Sequence, residues 1–427
     1  MTRLALIVTP LLAARASGHA ALYSPVPRNA NDRDLPLFAG GKSPKCPCTC
    51  DNGMGTEGGP WPDNEPCGQG GNNIGTNVTS KPCNEPCDRG LRSKADGQSC
   101  LWWSQGCSIG CKECATVAGG ATPVTGTAPH RDKIGFRTRY CNSTFEPTLP
   151  RHAWTMNIHA VDGSEEDSYR YNPWRAPGFA PVVDACGQAG GKYFDTPIGG
   201  ESVYSNTSRS KFGDLGSEAL PKGPAMATWR AGTAVEVMWG MRYNHGGGYQ
   251  YRLCPAGQPL TEECFQRTPL AFDRAKQALV WLNGTRFEMG AKAVFIDEGT
   301  FPAGSTWARN PIPRTNTDNI GNADEAACPG PFSGKSGPGC TQFTPPCPQD
   351  RGPEPWSTDF SFQGQCSGDW TTGLIADTVL IPADLPTGDY VLGWRNDCEE
   401  TAQIWSNCAD VHITVAAPMV ELVSNET

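Results

Sequence analysis

Twenty cysteines constrain this chain more than any other feature, and none lies in its first eighteen residues. Those eighteen read as a secretory signal. Arg3 is the basic start, Leu4 to Leu12 form an apolar stretch too short to span a bilayer, and Ala16-Ser17-Gly18 is a small-residue cleavage site. Outside the cell thiols oxidise, so an even cysteine count reads as a framework of up to ten bridges. Ten cysteines crowd into residues 46–114. The pieces CPCTC and CKEC have zinc-ligand character but lack regular finger spacing, and bridges are the stronger reading. Neighbours along the chain suggest Cys254–Cys264 and Cys398–Cys408, although connectivity is not readable from sequence. Five Asn-x-Ser/Thr sites, at Asn77, Asn142, Asn206, Asn283 and Asn425, fit a secreted glycoprotein.

Fifty glycines and thirty-eight prolines favour turns and loops over helices. Val235, Val237 and Trp239 alternate, as do Tyr390, Leu392 and Trp394, and Val411, Ile413 and Val415. Period two places each set on one face of a half-buried strand. LPTGD (385–389) separates two such runs, and a helical pattern is expected only around Thr268–Leu282. Short strands joined by Gly/Pro turns predict a mainly β chain, an immunoglobulin/fibronectin-like β-sandwich with long disulfide-rich loops. The boundaries read as signal peptide 1–18, one domain over 19–416 with a cysteine-rich insertion at about 31–125, and a short tail over 417–427. A second stretch without periodicity runs from about 307 to 355. A net charge of −9 without a basic run makes a poor partner for nucleic acid or an anionic membrane. No later stretch is long and apolar enough for a membrane anchor.

There are six histidines. Cleavage after Gly18 makes His19 the N-terminus, with a ring nitrogen and a free amine on one residue. The amine pKa lies near about 8, so a metal can displace its proton at neutral pH. A second imidazole opposite would complete three nitrogens in a plane, a set that suits copper. His245 in NHGGGYQYRLC is the candidate, because three glycines leave its ring uncrowded and let the chain turn. The alternative for His245 is a loop histidine bonded to backbone. His412 falls out of register with Val411 and Ile413 and is expected to face away from the core. His152 and His159 lack metal spacing, and His130 is expected in a loop.

HAALYSPVPRNA at the expected mature terminus resembles the start of the lytic polysaccharide monooxygenases, in the branch also called chitin-binding type-4 domains. WGMRYNHGGGYQYRLCP resembles the segment with that family's second copper histidine. LIPADLPTGDYVLGWRNDCEETAQIWSNCADVHITV is similar to its C-terminal strands, and TFPAGSTWARNPIP to a segment of some members. The resemblance implies copper held by His19 and His245. It implies an axial Tyr or Phe at the place where this chain has Trp405, a departure, since indole cannot ligate as a phenol oxygen can. Tyr243, where a small residue is usual, is a second departure and an alternative occupant of that space. Gln403 is implied as the hydrogen-bonding amide near bound oxygen species. Its alternative is a solvent-facing strand residue, and that of Trp405 a core-filling one. Glu399 and Glu400 have weaker claims. With 44 acidic residues, a hydrolytic carboxylate pair cannot be singled out. A flat polymer needs a flat aromatic face; Tyr23, Tyr249 and one ring of Trp102–Trp103 are candidates, the pair having packing under the insertion as its alternative. The expected function is secreted, copper-dependent oxidative cleavage of an insoluble polysaccharide, chitin first and cellulose second. It would act as a monomer, with an external electron donor and O2 or H2O2. Its rivals are a non-catalytic chitin- or cell-wall-binding protein and a copper-handling protein with the same histidines.

Overall fold

The computed structural model describes residues 19–31, 99–105, 172–191, 204, 206–243, 246–281, 286–311, 373–399 and 403–415. They form two sheets packed face to face. The smaller sheet has the order β1 (His19–Ser24), β5 (Ala234–Tyr243), β12 (Gly373–Leu380), β8 (Ala278–Trp281), β9 (Arg286–Glu288), with β7 (Ala271–Phe272) also on β12. The larger runs β10 (Phe295–Ile296), β11 (Trp307–Arg309), β6 (Gly248–Pro255), β13 (Gly388–Asp397), β14 (Gln403–Thr414), β2 (Trp102–Gln105), β3 (Gln188–Ala189). β4 (Ala227–Arg230) lies parallel along β14, while every other pairing is antiparallel. This is the mainly β sandwich that the alternating patterns predict. Among the described residues no helix is long and apolar enough to cross a membrane.

Alternation builds the core. Val237 and Trp239 from β5, Leu392 and Trp394 from β13, and Val411 and Ile413 from β14 meet between the sheets with Leu22, Tyr251, Leu253 and Ile375. Each large apolar side chain taken from water there contributes about 1.5–3 kcal/mol. Val415 does not join its predicted set. It lies one residue past β14 and is 51% exposed, because the pairing that enforces alternation has ended. The 385–389 turn joins β12 to β13, which lie in different sheets, so it crosses the sandwich instead of closing a hairpin.

The helix expected over Thr268–Leu282 is absent. That stretch supplies β7 and β8, which pair with β12. Leu279 enters the central core while Ala278 and Val280 are buried on the opposite face. Burial on both faces erases the alternation that distinguishes strand from helix. A short helix lies earlier, at Glu262–Gln266, where the Thr261 hydroxyl caps the Cys264 N–H.

Cys254–Cys264 is bridged as expected, but Cys398–Cys408 is not. Cys408 is joined to Cys186. The β13–β14 register explains this. The Cys398 N–H bonds the Gln403 carbonyl, whereas Cys408 lies opposite Gly393. Five strand residues separate Gln403 from Cys408, about 17 Å at 3.4 Å per residue, far beyond disulfide reach. Within the 31–125 stretch, Trp102–Gln105 is a strand of the larger sheet, with Trp103 in the central core and Trp102 against Tyr204 on the other face. The ten-cysteine cluster lies largely outside the described residues, as do the signal, the tail and the glycosylation candidates other than Asn206.

Candidate metal centre

The pairing of β1 with β5 begins at His19, which lies opposite Tyr243, the last residue of β5. From Ala20 to Leu22 the register is Ala20↔Met241, Ala21↔Gly240 and Leu22↔Trp239, so Arg242 is an extra residue between the first two pairs. Such a bulge bends the strand and re-aims the residues beyond it. Asn244 and His245 come next in the chain and lie outside the described residues. The backbone re-enters at Gly246 and Gly247, both with positive φ (62° and 81°), and starts β6 at Gly248. The link from β5 to β6 thus crosses from the smaller sheet to the larger at the end where β1 begins.

The glycines that sequence reading credits with clearing space for a histidine ring have a second role. A Cβ on Gly247 would lie 2.0 Å from the Asp397 carbonyl oxygen, and one on Gly248 would lie 2.3 Å from the Trp174 ring. No side chain fits either place. The Asn310 N–H holds the Gly247 carbonyl from the other side (2.9 Å). The same end of the larger sheet continues through Asp397 and Cys398 at the end of β13 to Gln403, which opens β14 and lies opposite Gln105 of β2.

Gln403, Trp405 and Asn407 share one face of β14, the face that carries Val411 and Ile413 into the core. Gln403 is 2% exposed and Trp405 1% exposed. Gln403 is therefore not solvent-facing. Trp405 stacks on Trp103 (5.5 Å between centroids, 27° between planes) in the cluster that includes Ala20 and Leu22. β1 is tied to this face. The Leu22 N–H donates to Asn407 Oδ1 (2.7 Å), and farther along the Arg28 N–H donates to the Cys408 carbonyl (2.7 Å). The Arg28 guanidinium grips Asp410 with two bonds of 2.9 and 2.6 Å. β1 and β14 advance in the same direction through these ties, so the start of β1 lies toward Trp405 and Gln403. The start of β1, the end of β5 and the start of β14 occupy one end of the sandwich.

The other residues singled out fall elsewhere. His412 faces away from the core, its Nδ1 2.7 Å from Asp389 Oδ1. His130, His152, His159 and Glu400 lie outside the described residues. Glu399 is buried, and its charge partly offsets the burial that pulls the Arg309 guanidinium down to about 10. Tyr23 and Tyr249 do not offer a face to a polymer. Tyr23 is buried against Val280 and Leu374, and the Tyr249 hydroxyl bonds Asp377 inside the sandwich. Trp102 and Trp103 are buried as well. Among the described residues, no three His, Cys, Asp or Glu side chains gather as a metal site.

Two buried polar groups escaped the sequence reading. One is Asp377 with Tyr249, Tyr251 and Gln277 between the sheets. Its signal was available, since Asp377 alternates with Ile375 and Val379 and so occupies a core position. The other is Arg395 and Asp397 on the outward face of β13, joined to Glu262 and Arg252.

No family model matches this chain, and no curated protein matches it. Two solved structures are similar to it at a TM-score of 0.21. One, "Lytic Polysaccharide Monooxygenase AA15 from Thermobia domestica in the Cu(I) State", is 13% identical over 54% of this chain and 77% of the other. The second, a chitin binding domain from Burkholderia pseudomallei, is 12% identical over 58% of this chain and 94% of the other.

Proposed function

We propose that the mature chain is a secreted copper-dependent enzyme that cleaves an insoluble polysaccharide oxidatively, with His19 and His245 as the metal ligands. The supporting observation is the β1–β5 pairing, in which His19 lies opposite Tyr243, two residues before His245 in the chain. A terminal amine, its own imidazole and a second imidazole form a neutral nitrogen set that suits copper. When bound, copper supplies one-electron chemistry with O2 or H2O2, re-reduced by an external donor. The chain's own residues do the rest. The Gly246–Gly248 segment leads into β6, Gln403 would supply an amide at the start of β14, and the buried Trp405–Trp103 stack would exclude water there. Chitin is the first substrate and cellulose the second, on the strength of the sequence resemblance.

One observation favours a rival, a copper-handling protein without polysaccharide affinity. Tyr23, Tyr249, Trp102 and Trp103 are all buried, so none of the rings expected to face a polymer does so. One experiment separates the readings. Cu(II) binding is measured by calorimetry and EPR on protein beginning at His19 and on protein with one residue added before it. The proposal expects tight binding with a type-2 signal, lost on extension, and release of oxidised oligosaccharides from chitin or cellulose in the presence of reductant. Terminus-dependent copper without binding to either polymer supports the rival. Equal, weak binding by both proteins sinks both.

A further inference from the structure

The Asn-x-Ser/Thr site at Asn206-Thr207-Ser208 lies on a turn docked against the larger sheet. Thr207 is buried, and its hydroxyl oxygen accepts the N–H groups of Arg209 and Ser210 (3.1 Å each). The Thr207 N–H bonds the Ser210 carbonyl (2.8 Å). The Ser210 and Tyr204 hydroxyls bond each other, and the Tyr204 ring meets Trp102 of β2 edge to face. Farther on, the Gly213 N–H bonds the Ala189 carbonyl and the Ala189 N–H bonds the Asp214 carbonyl (2.9 Å each), so the turn is tied to β3. With Thr207 held inward, Asn206 and Ser208 on either side of it are exposed.

Asn206 Oδ1 accepts the Phe212 N–H (2.7 Å). That bond fixes the amide beside residue 212, and its nitrogen has no partner among the described residues. Phe212 is 40% exposed, an unusual state for a phenyl ring on so well-tied a turn. One edge of the ring lies on Gly190, where a Cβ would come within 2.4 Å of it. A Cβ on the next residue, Gly213, would meet nothing within 4 Å, so the space beside Phe212 is open. An exposed ring, open space and an exposed amide nitrogen therefore adjoin.

We propose that Asn206 carries an N-linked glycan whose first sugar lies over the exposed part of Phe212. This rests on the secreted reading above. A glycan is bulky and polar and is tolerated only where the folded chain leaves its asparagine at the surface, as it does here. In the transfer, Asn206 Nδ2 forms a bond to C1 of the first N-acetylhexosamine while the bond from C1 to the diphosphate of a lipid-linked oligosaccharide donor breaks. The amide gives up one proton, the lipid diphosphate leaves with the bonding pair, and nothing is oxidised or reduced. The C–H face of the sugar suits the negative face of an aromatic ring and takes Phe212 out of water.

The test uses the full chain secreted from a eukaryotic host. Its peptides are mapped by mass spectrometry before and after peptide N-glycosidase, which leaves aspartate where a glycan stood. A glycan is expected at Asn206 and should be absent there in Ser208→Ala, which keeps the bond from Phe212 to Asn206. Loss of the glycan in Ser208→Ala should lower Tm by about 2–4 °C. In a Phe212→Ser background the same loss should leave Tm unchanged. If Ser208→Ala does not fold, enzymatic removal of the glycan from the folded wild type gives the same comparison, since the aspartate left behind still accepts from Phe212. An unmodified Asn206 in the secreted protein overturns the proposal and leaves secretion standing. A chain kept inside the cell with its signal uncut overturns both. A glycan whose loss changes Tm equally with and without Phe212 overturns the contact with the ring.

Discussion

Replacing Asp377 with asparagine is expected to change how stability depends on pH in a calculable way. Asp377 is buried between the sheets, where its oxygens accept from the Tyr249 hydroxyl (3.1 Å), the Tyr251 hydroxyl (3.1 Å) and Gln277 Nε2 (3.0 Å). Burial raises its pKa from 3.8 to about 6, with the charge of Glu236 adding to the rise and the three hydrogen bonds opposing it. In the unfolded chain the group ionises near 3.8. Between those values the folded protein holds a proton that the unfolded chain has lost. Stability from this group is therefore complete below about pH 4, falls as pH rises, and is gone past about pH 7. A shift of about two units corresponds to about 3 kcal/mol.

The assay is denaturant unfolding of wild type and Asp377→Asn across pH 3 to 8, each fitted to a two-state transition. All other groups titrate in both proteins, so they cancel in the difference. Wild type should lose about 3 kcal/mol relative to the variant between pH 4 and pH 7. Asparagine can serve both tyrosines, accepting from one hydroxyl and donating to the other, so the variant should fold. A flat difference would refute the reasoning, because it would mean that the carboxylate is ionised and solvated in the folded state.

The acid limb should have the opposite sign at Glu262. Burial alone would raise its pKa, but Arg252 and Arg395 outweigh burial and hold it at about 2 against an ordinary 4.5. Its contribution is present above 4.5 and is lost as pH falls through about 2. Glu262→Gln should flatten that limb in urea titrations, and at pH 7 it should cost about 3 kcal/mol by leaving Arg252 and Arg395 short of a carboxylate. Trp405→Ala, which removes one ring of the Trp103 stack, should cost about 3–5 kcal/mol in equilibrium unfolding. Cys186→Ser with Cys408→Ser opens a link across 222 residues and should cost about 2–5 kcal/mol, read as a fall in Tm.

The sequence could be read only locally. Trp239, Trp394 and Val411 announce core-facing strand positions through period two alone. Nearness along the chain suggested both Cys254–Cys264 and Cys398–Cys408, and only the first is bridged. The failures are long-range. Cys408 finds Cys186 across 222 residues, and Tyr249 finds Asp377 across 128, so rings assigned to a polymer face belong to the core. β8 was unreadable as a strand because the smaller sheet buries it on both faces. For the candidate site, residue types pointed to His19 and His245, and the sequence resemblance to Gln403 and Trp405, but nothing local to those residues says that β1 pairs with β5 or runs alongside β14.

That pairing makes the position of His245 informative. The described residues on either side of the β5–β6 link, Tyr243 and Gly246, lie at the end of the sandwich where β1 begins with His19. The bulge at Arg242 puts Tyr243 opposite His19 and bends β5 where the link to β6 begins. Deleting Arg242 would let Tyr243 follow Met241 in regular pairing, still opposite His19, and would remove that bend. It should leave the sandwich folded, since the ladder from Ala20 to Ser24 is unaffected, and under the copper proposal it should weaken the terminus-dependent Cu(II) signal by re-aiming the residues that follow. A deletion variant that keeps that signal unchanged would show that the bulge has no part in holding the metal.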